Sequence, residues 1–143
     1  RNNGEVRMTY PKDLAELIEE FQEVDDKMER LEMVFDMADE VVPYPPEQWN
    51  NDSKVQGCQS EAHVHVEIDD GKVLLFSGAD AKLVQGLMGI LTIAINGSAP
   101  AQALLLSADF AEEMGILNSL SPSRSNGFRN MFDKVMKEIR EFV

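Results

Sequence analysis

The chain has 143 residues, 43% of them hydrophobic and 27% charged, an ordinary composition for one globular domain with a core of its own. Thirteen Lys and Arg stand against 26 Asp and Glu, and the formal charge of −13 repels phosphate backbones and anionic headgroups, so neither nucleic acid nor membrane is an expected partner. A single cysteine, Cys58, excludes an intramolecular disulfide and any metal or cluster site that draws two or more thiolates from one chain, and it fits a reducing compartment.

Residues 1–9 carry no pattern and are expected to be flexible, with Met8 a candidate original start. No secretory apolar segment opens the sequence, and no apolar run approaches the roughly 18 residues that cross a bilayer. Pro11 suits the first position of a helix, Asp13 and Glu16 favour its positive end, and Leu14, Leu17, Ile18 and Phe21 share one face. Asp25 or Asp26 caps a second helix whose apolar stripe reads Met28, Leu31, Val34, Phe35 and Ala38. Twelve of the 26 acidic residues fall between Asp13 and Glu40. They form either the solvated side of a helical hairpin or an acidic docking surface.

The prolines of Val42-Pro43-Tyr44-Pro45-Pro46 end the helical region. Beyond a polar loop at Asn50, Asn51, Asp52 and Ser53 the period changes to two. Ala62, Val64, Val66 and Ile68 point to one face of a strand, and Glu61, His63, His65 and Glu67 to the other. Asp70-Gly71 predicts a hairpin turn, Lys72 to Phe76 the return strand, and Lys54 to Gln56 a short third strand. From Asp80 to Ile95 a helix is apolar on nearly every side and belongs in the middle of the core, with Gly86 and Gly89 allowing another backbone to come close. Asn96-Gly97 ends it as a left-handed cap. Short helices are expected from Pro100 to Leu106 and from Ser107 to Gly115, and a long last helix carries Phe128, Met131, Phe132, Val135, Ile139 and Phe142. Residues 1–143 read as one α+β domain, a small antiparallel sheet of about three strands packed against several helices.

Cys58 lies in Val55-Gln56-Gly57-Cys58-Gln59-Ser60, just ahead of a strand. Gly57 permits a tight turn, so the thiol sits at a loop tip, among hydrogen-bonding neighbours suited to a polarisable sulfur. The plain alternative is a small buried hydrophobe. A Cys–His hydrolase would draw on His63, but that residue shares a strand face with Glu61 and Glu67, and no oxyanion motif accompanies it. A metal site from Cys58, His63 and His65, or an interaction module using the His63/His65 face, is the competing function. A two-cysteine redox cycle lacks its second thiol. Single-thiol transfer remains, in which a thiolate takes up an electrophilic sulfur and carries it as a persulfide. A second cluster, Leu120-Ser121-Pro122-Ser123-Arg124-Ser125-Asn126-Gly127, opens the last helix with serine caps and a proline. Arg124 is a cation at the positive end of a helix dipole and is expected to have an anionic partner: Asp80, a glutamate, or the Cys58 sulfur.

Together, Val55 to Ser60, Asp80-Ala81 leading into Val84-Gln85-Gly86-Leu87, Asn96-Gly97, and Leu120 to Gly127 resemble the SufE family, with order and spacing agreeing from about Pro11 to the C-terminus. The resemblance implies an α+β fold like that of IscU scaffolds, without the cluster ligands. It also implies a carrier rather than an enzyme, one that accepts sulfur from a SufS-type cysteine desulfurase, stimulates it, and delivers sulfur to an iron–sulfur scaffold complex. By position, Cys58 resembles the sulfur acceptor, with Gly57, Gln59, Ser60 and Arg124 forming its surroundings and Gln56, Asp80 and Asn126 facing the partner. No cofactor or metal is implied for this chain, since the pyridoxal phosphate belongs to the desulfurase. The expected location is the cytoplasm, with an organelle stroma as the alternative. The chain departs from the family pattern at Ala62, His63 and His65, where apolar or aromatic residues are usual. It departs again at Asp39-Glu40-Val41-Val42-Pro43, where the family has Gly-x-x-Leu-Pro.

Overall fold

Residues 10–143 are described by the structure, a computed structural model of the chain. The expectations about Met8 and a flexible start fall outside the described residues. Helix α1, Lys12–Gln22, follows Pro11 and buries Leu14, Leu17, Ile18 and Phe21. Helix α2, Lys27–Asp36, is capped by Asp26, whose carboxylate accepts the Glu29 N–H at 3.4 Å, and it continues as a 3₁₀ turn, Met37–Glu40. Strands β1, Ala62–Asp69, and β2, Lys72–Ala79, pair antiparallel in a register running from Ala62↔Ala79 to Asp69↔Lys72. The turn between them has left-handed backbone at both Asp70 and Gly71, as an Asp-Gly hairpin requires.

The sheet has two strands, not three. The segment expected as a third strand makes one bridge, Lys54↔His63, with Val55 N–H donating to Ala62 O at 2.8 Å and Val64 N–H to Ser53 O at 2.9 Å. Pairing stops there because Gly57, at φ +74°, turns the chain off the sheet edge. A second single bridge, Pro43↔Ser77, flanks β2.

Helix α3, Lys82–Ile95, is the central element and buries most of its length, Val84, Leu87, Met88, Ile90, Leu91 and Ile95 among the rest. A Cβ on Gly86 would stand 2.0 Å from Val34 O, and one on Gly89 only 1.7 Å from Met37 O. The α2 backbone therefore rests directly on α3. That contact sets the rotation of α2 and corrects the expected stripe. Val34 is buried, whereas Met28 (64% exposed) and Phe35 (38% exposed) point outward. Arg30 turns inward instead, donating to Ser119 Oγ at 3.1 Å and to Val24 O.

At the end of α3, Gly97 takes the left-handed conformation, but Asn96 is extended and its side-chain oxygen accepts the Leu75 N–H at 2.8 Å. Helices α4, Pro100–Ala103, and α5, Phe110–Glu113, are shorter than their patterns suggested. Helix α6, Pro122–Arg140, is capped by Ser121, which accepts the Arg124 N–H at 3.3 Å. It buries Phe128, Met131, Phe132, Val135 and Ile139, while Phe142 lies past its end and is half exposed. Helices surround the small sheet in an α+β fold, and no helix among the described residues is long and apolar enough to cross a membrane.

Replacing Gly89 by Ala drives a methyl into a carbonyl and is expected to destabilise the fold by roughly 3 kcal/mol. Gly97→Ala has open space around it, and only its left-handed backbone opposes the change, by about 1 kcal/mol. Urea denaturation of the two variants checks the order.

Candidate functional site

Gly57 carries Cys58 away from the sheet edge, and the chain returns to β1 at Glu61. Between these limbs the loop folds back on the first turns of α6. Asn130 donates to Gly57 O at 3.3 Å, Ser123 to Gln59 Oε1 at 3.5 Å, and Arg124 Nη1 to Ser60 Oγ at 2.7 Å. A Cβ at Gly57 would meet Asn130 Nδ2 at 2.4 Å, so the glycine serves both the turn and this contact.

Cys58 is half-buried and free. Its sulfur borders a hollow of about 10 Å³, room for one water-sized sphere. Val84 and Leu87 of α3 and Phe128 and Met131 of α6 supply apolar walls, while Arg124, Ser123 and Gln59 supply polar groups. Gly127 completes the wall, and a Cβ there would stand 3.5 Å from Cys58 Sγ.

Of the expected site residues, Cys58, Gln59 and Arg124 therefore share one hollow, and Ser60 and Gly57 are tied to α6 beside it. Gln56, Asp80 and Asn126 are exposed and do not line it. Gln56 faces a separate, open groove with His65 and Lys134. The expected anionic partner of Arg124 is replaced by the Ser60 hydroxyl, and among the described residues no carboxylate pairs with this guanidinium. Asp80 is occupied elsewhere: its Oδ1 accepts the Glu61 N–H, and its own N–H donates to Glu61 O, both at 3.1 Å.

The face of β1 that carries the histidines is partly covered, because Tyr44 and Trp49 fold across it. Trp49 stacks on His63 with centroids 4.5 Å apart and Tyr44 on His65 at 5.3 Å, leaving His63 buried. His63 Nδ1 is 2.7 Å from Ser53 Oγ, and Nε2 is 3.2 Å from Glu61 Oε1. With both ring nitrogens engaged, His63 has no lone pair to offer a metal or Cys58. Among the described residues no three His, Cys, Asp or Glu side chains are grouped to hold a metal ion. The contributions of Trp49, Ser53 and Asn130 escaped the sequence reading, and Gly127 was read only as the end of the serine-rich motif. Asn130 had a legible signal, since it follows that motif by about one helical turn.

The arrangement is that of a small α+β domain presenting one thiol on a loop closed against a helix. A family model described as "SufE: Fe-S metabolism associated domain" matches residues 15–139, and the chain belongs to the SufE family. It is 38% identical over 124 residues to an uncharacterized SufE-like protein of Synechocystis sp., covering 87% of this chain and 78% of that one. SufE-like protein 1, chloroplastic/mitochondrial, of Arabidopsis thaliana is 29% identical over 129 residues, which are 90% of this chain but 35% of that protein. Cysteine desulfuration protein SufE of Plasmodium vivax is 33% identical over 97 residues, 65% of this chain and 38% of that protein. The solution structure of a hypothetical protein from Thermus thermophilus superposes with a TM-score of 0.79 at 25% identity, covering 92% of this chain and 96% of that one.

Hydrogen bonds from His63, and then from Lys54, hold the Glu61 carboxyl below its usual range. A depressed carboxyl contributes stability that is complete above the unfolded-state value and is lost as pH falls through the folded one. The urea midpoint of the wild type should therefore exceed that of Glu61→Gln by a constant margin above about pH 6, the margin closing in acid.

Proposed function

We propose that the chain is a sulfur carrier and activator for a SufS-type cysteine desulfurase, with Cys58 as the acceptor. The observation that carries this reading is a single free thiol, half-buried over an apolar hollow on a loop, in a chain of the SufE family. The Cys58 thiolate attacks the outer sulfur of a persulfide on the desulfurase cysteine. A new S–S bond forms at Cys58, the old one breaks, and the desulfurase cysteine leaves as a thiolate, with no net oxidation. The proton lost from Cys58 is available to that leaving sulfur. Emptying the desulfurase cysteine readies it for another turnover, which is the sense in which the chain activates its partner. Pyridoxal phosphate chemistry stays with the desulfurase.

Each part of the hollow has a task in this reading. Val84, Leu87, Phe128 and Met131 shelter the outer sulfur from water-borne oxidants and reductants. The Arg124 guanidinium offers positive charge to an anionic persulfide. Contacts to Gly57 O and Gln59 are single and exposed, so docking releases the tip and brings the thiol out. Gln56, Asp80 and Asn126 lie on the open surface and serve recognition of the desulfurase. The carried sulfur then passes to an iron–sulfur scaffold complex, in a reducing cytoplasm or organelle stroma that keeps the lone thiol free.

Incubation with the desulfurase and cysteine should add one sulfur atom to the wild type, seen by intact-protein mass spectrometry and mapped to Cys58. Cys58→Ser should still bind the desulfurase but gain no sulfur and give no stimulation. Stimulation that survives in Cys58→Ser would defeat the carrier mechanism.

A further inference from the structure

We infer that His63 is a positioning residue for Cys58, clamping the neck of the thiol-bearing loop through Ser53 and Glu61. Its consequence for function rests on the sulfur-carrier reading, though its geometry does not.

Two limbs leave the sheet edge, an outgoing one at Ser53, Lys54 and Val55 and a returning one at Glu61 and Ala62. Two backbone hydrogen bonds join them, Val55 N–H to Ala62 O at 2.8 Å and Val64 N–H to Ser53 O at 2.9 Å. The His63 imidazole adds a side-chain clamp over the same neck. Nδ1 meets Ser53 on the outgoing limb at 2.7 Å and Nε2 meets Glu61 on the returning limb at 3.2 Å. The second oxygen of Glu61 returns to the outgoing limb, pairing with Lys54 Nζ at 3.1 Å. Trp49 lies flat on the ring, which is only 2% exposed, so the Ser53 contact is shielded from water, while the Glu61 contact lies at the border of the solvent.

The clamp holds with the ring neutral or charged. A Glu61 carboxylate only accepts, so Nε2 carries a hydrogen. In the neutral ring Nδ1 then accepts from the Ser53 hydroxyl. In the imidazolium Nδ1 donates to Ser53 Oγ, and the hydroxyl proton turns to Asn50 O, 3.1 Å away. Both limbs stay gripped in each case.

The tip is held very differently. Two of its three contacts with α6 are long and exposed, at 3.3 and 3.5 Å. A firm neck beneath a lightly held tip confines motion to residues 56–60, so that the sulfur leaves and regains one hollow.

The test uses His63→Phe, which keeps a ring against Trp49 but removes both bonds, and Glu61→Ala, a partly exposed change that cuts the same network without disturbing the core. Either should raise the rate of Cys58 alkylation by iodoacetamide about tenfold and speed amide exchange at residues 56–61, with exchange in α3 unchanged. Glu61→Gln keeps an acceptor for Nε2 and should restore most of the wild-type behaviour. Combining His63→Phe with Glu61→Ala should add little to either alone. If His63→Phe fails to fold, Glu61→Ala and Glu61→Gln decide the matter by themselves. Wild-type alkylation and loop exchange in the folded variants would overturn the assignment, as would faster exchange spread evenly over the whole domain. None of these readouts involves a desulfurase, so they fail or succeed independently of sulfur uptake by the wild type.

Discussion

The direct contact between the glycine face of α3 and the carbonyls of Val34 and Met37 governs the geometry of the thiol site. Two residues along an α-helix are separated by about 200°, nearly opposite faces. With Gly86 and Gly89 pressed on one neighbour, Val84 and Leu87 must face the other way, and there they form the inner wall behind Cys58. The same contact turns Val34 inward and leaves Met28 and Phe35 in solvent. Helix α6 completes the arrangement from the other side with Phe128 and Met131, and its capped first turn brings Arg124 and Ser123 to the loop.

A carrier of reactive sulfur has to satisfy opposing demands, because shelter protects the sulfur and exposure transfers it. In the proposed carrier these demands fall on different parts of the site. Apolar walls and a hollow of about 10 Å³ serve shelter. Isolated polar contacts at the tip serve release, since hydrogen bonds open to water contribute little net stability. In the proposed clamp, the buried His63 and Ser53, with the half-exposed Glu61, supply the pivot at the neck. Membership of the SufE family links this arrangement to iron–sulfur metabolism, and the proposed chemistry needs only one sulfur atom from this chain.

Much of this was legible in the sequence where periodicity and turn chemistry agreed. The α1 face, the β1 core face, the Asp-Gly hairpin, the all-round apolar α3 and the Ser121-Pro122 helix start are all local signals, and the structure bears them out. Where tertiary contact decides, the sequence was silent or misleading. The α2 stripe followed the apolar residues, but the glycines of α3 selected a different face. Strand alternation placed His63 on the polar face of β1, and nothing local announced that Trp49 would fold over it. Arg124 meets the Ser60 hydroxyl and no carboxylate, while Asp80 accepts from the Glu61 N–H just ahead of β1. The thiol itself stood out because it is alone and follows a glycine. Its walls lay far away in sequence, on two helices that only the fold brings together.

Trp49 is the one tryptophan of the chain, fixed by its indole N–H to Tyr44 O at 2.8 Å and stacked on His63 within 14° of parallel. Its emission therefore arises from a single, fixed fluorophore lying against the base of the loop that bears Cys58. A contact this close makes that emission sensitive to any displacement of the ring, so the chain carries its own optical gauge of the loop's base, with no dye attached.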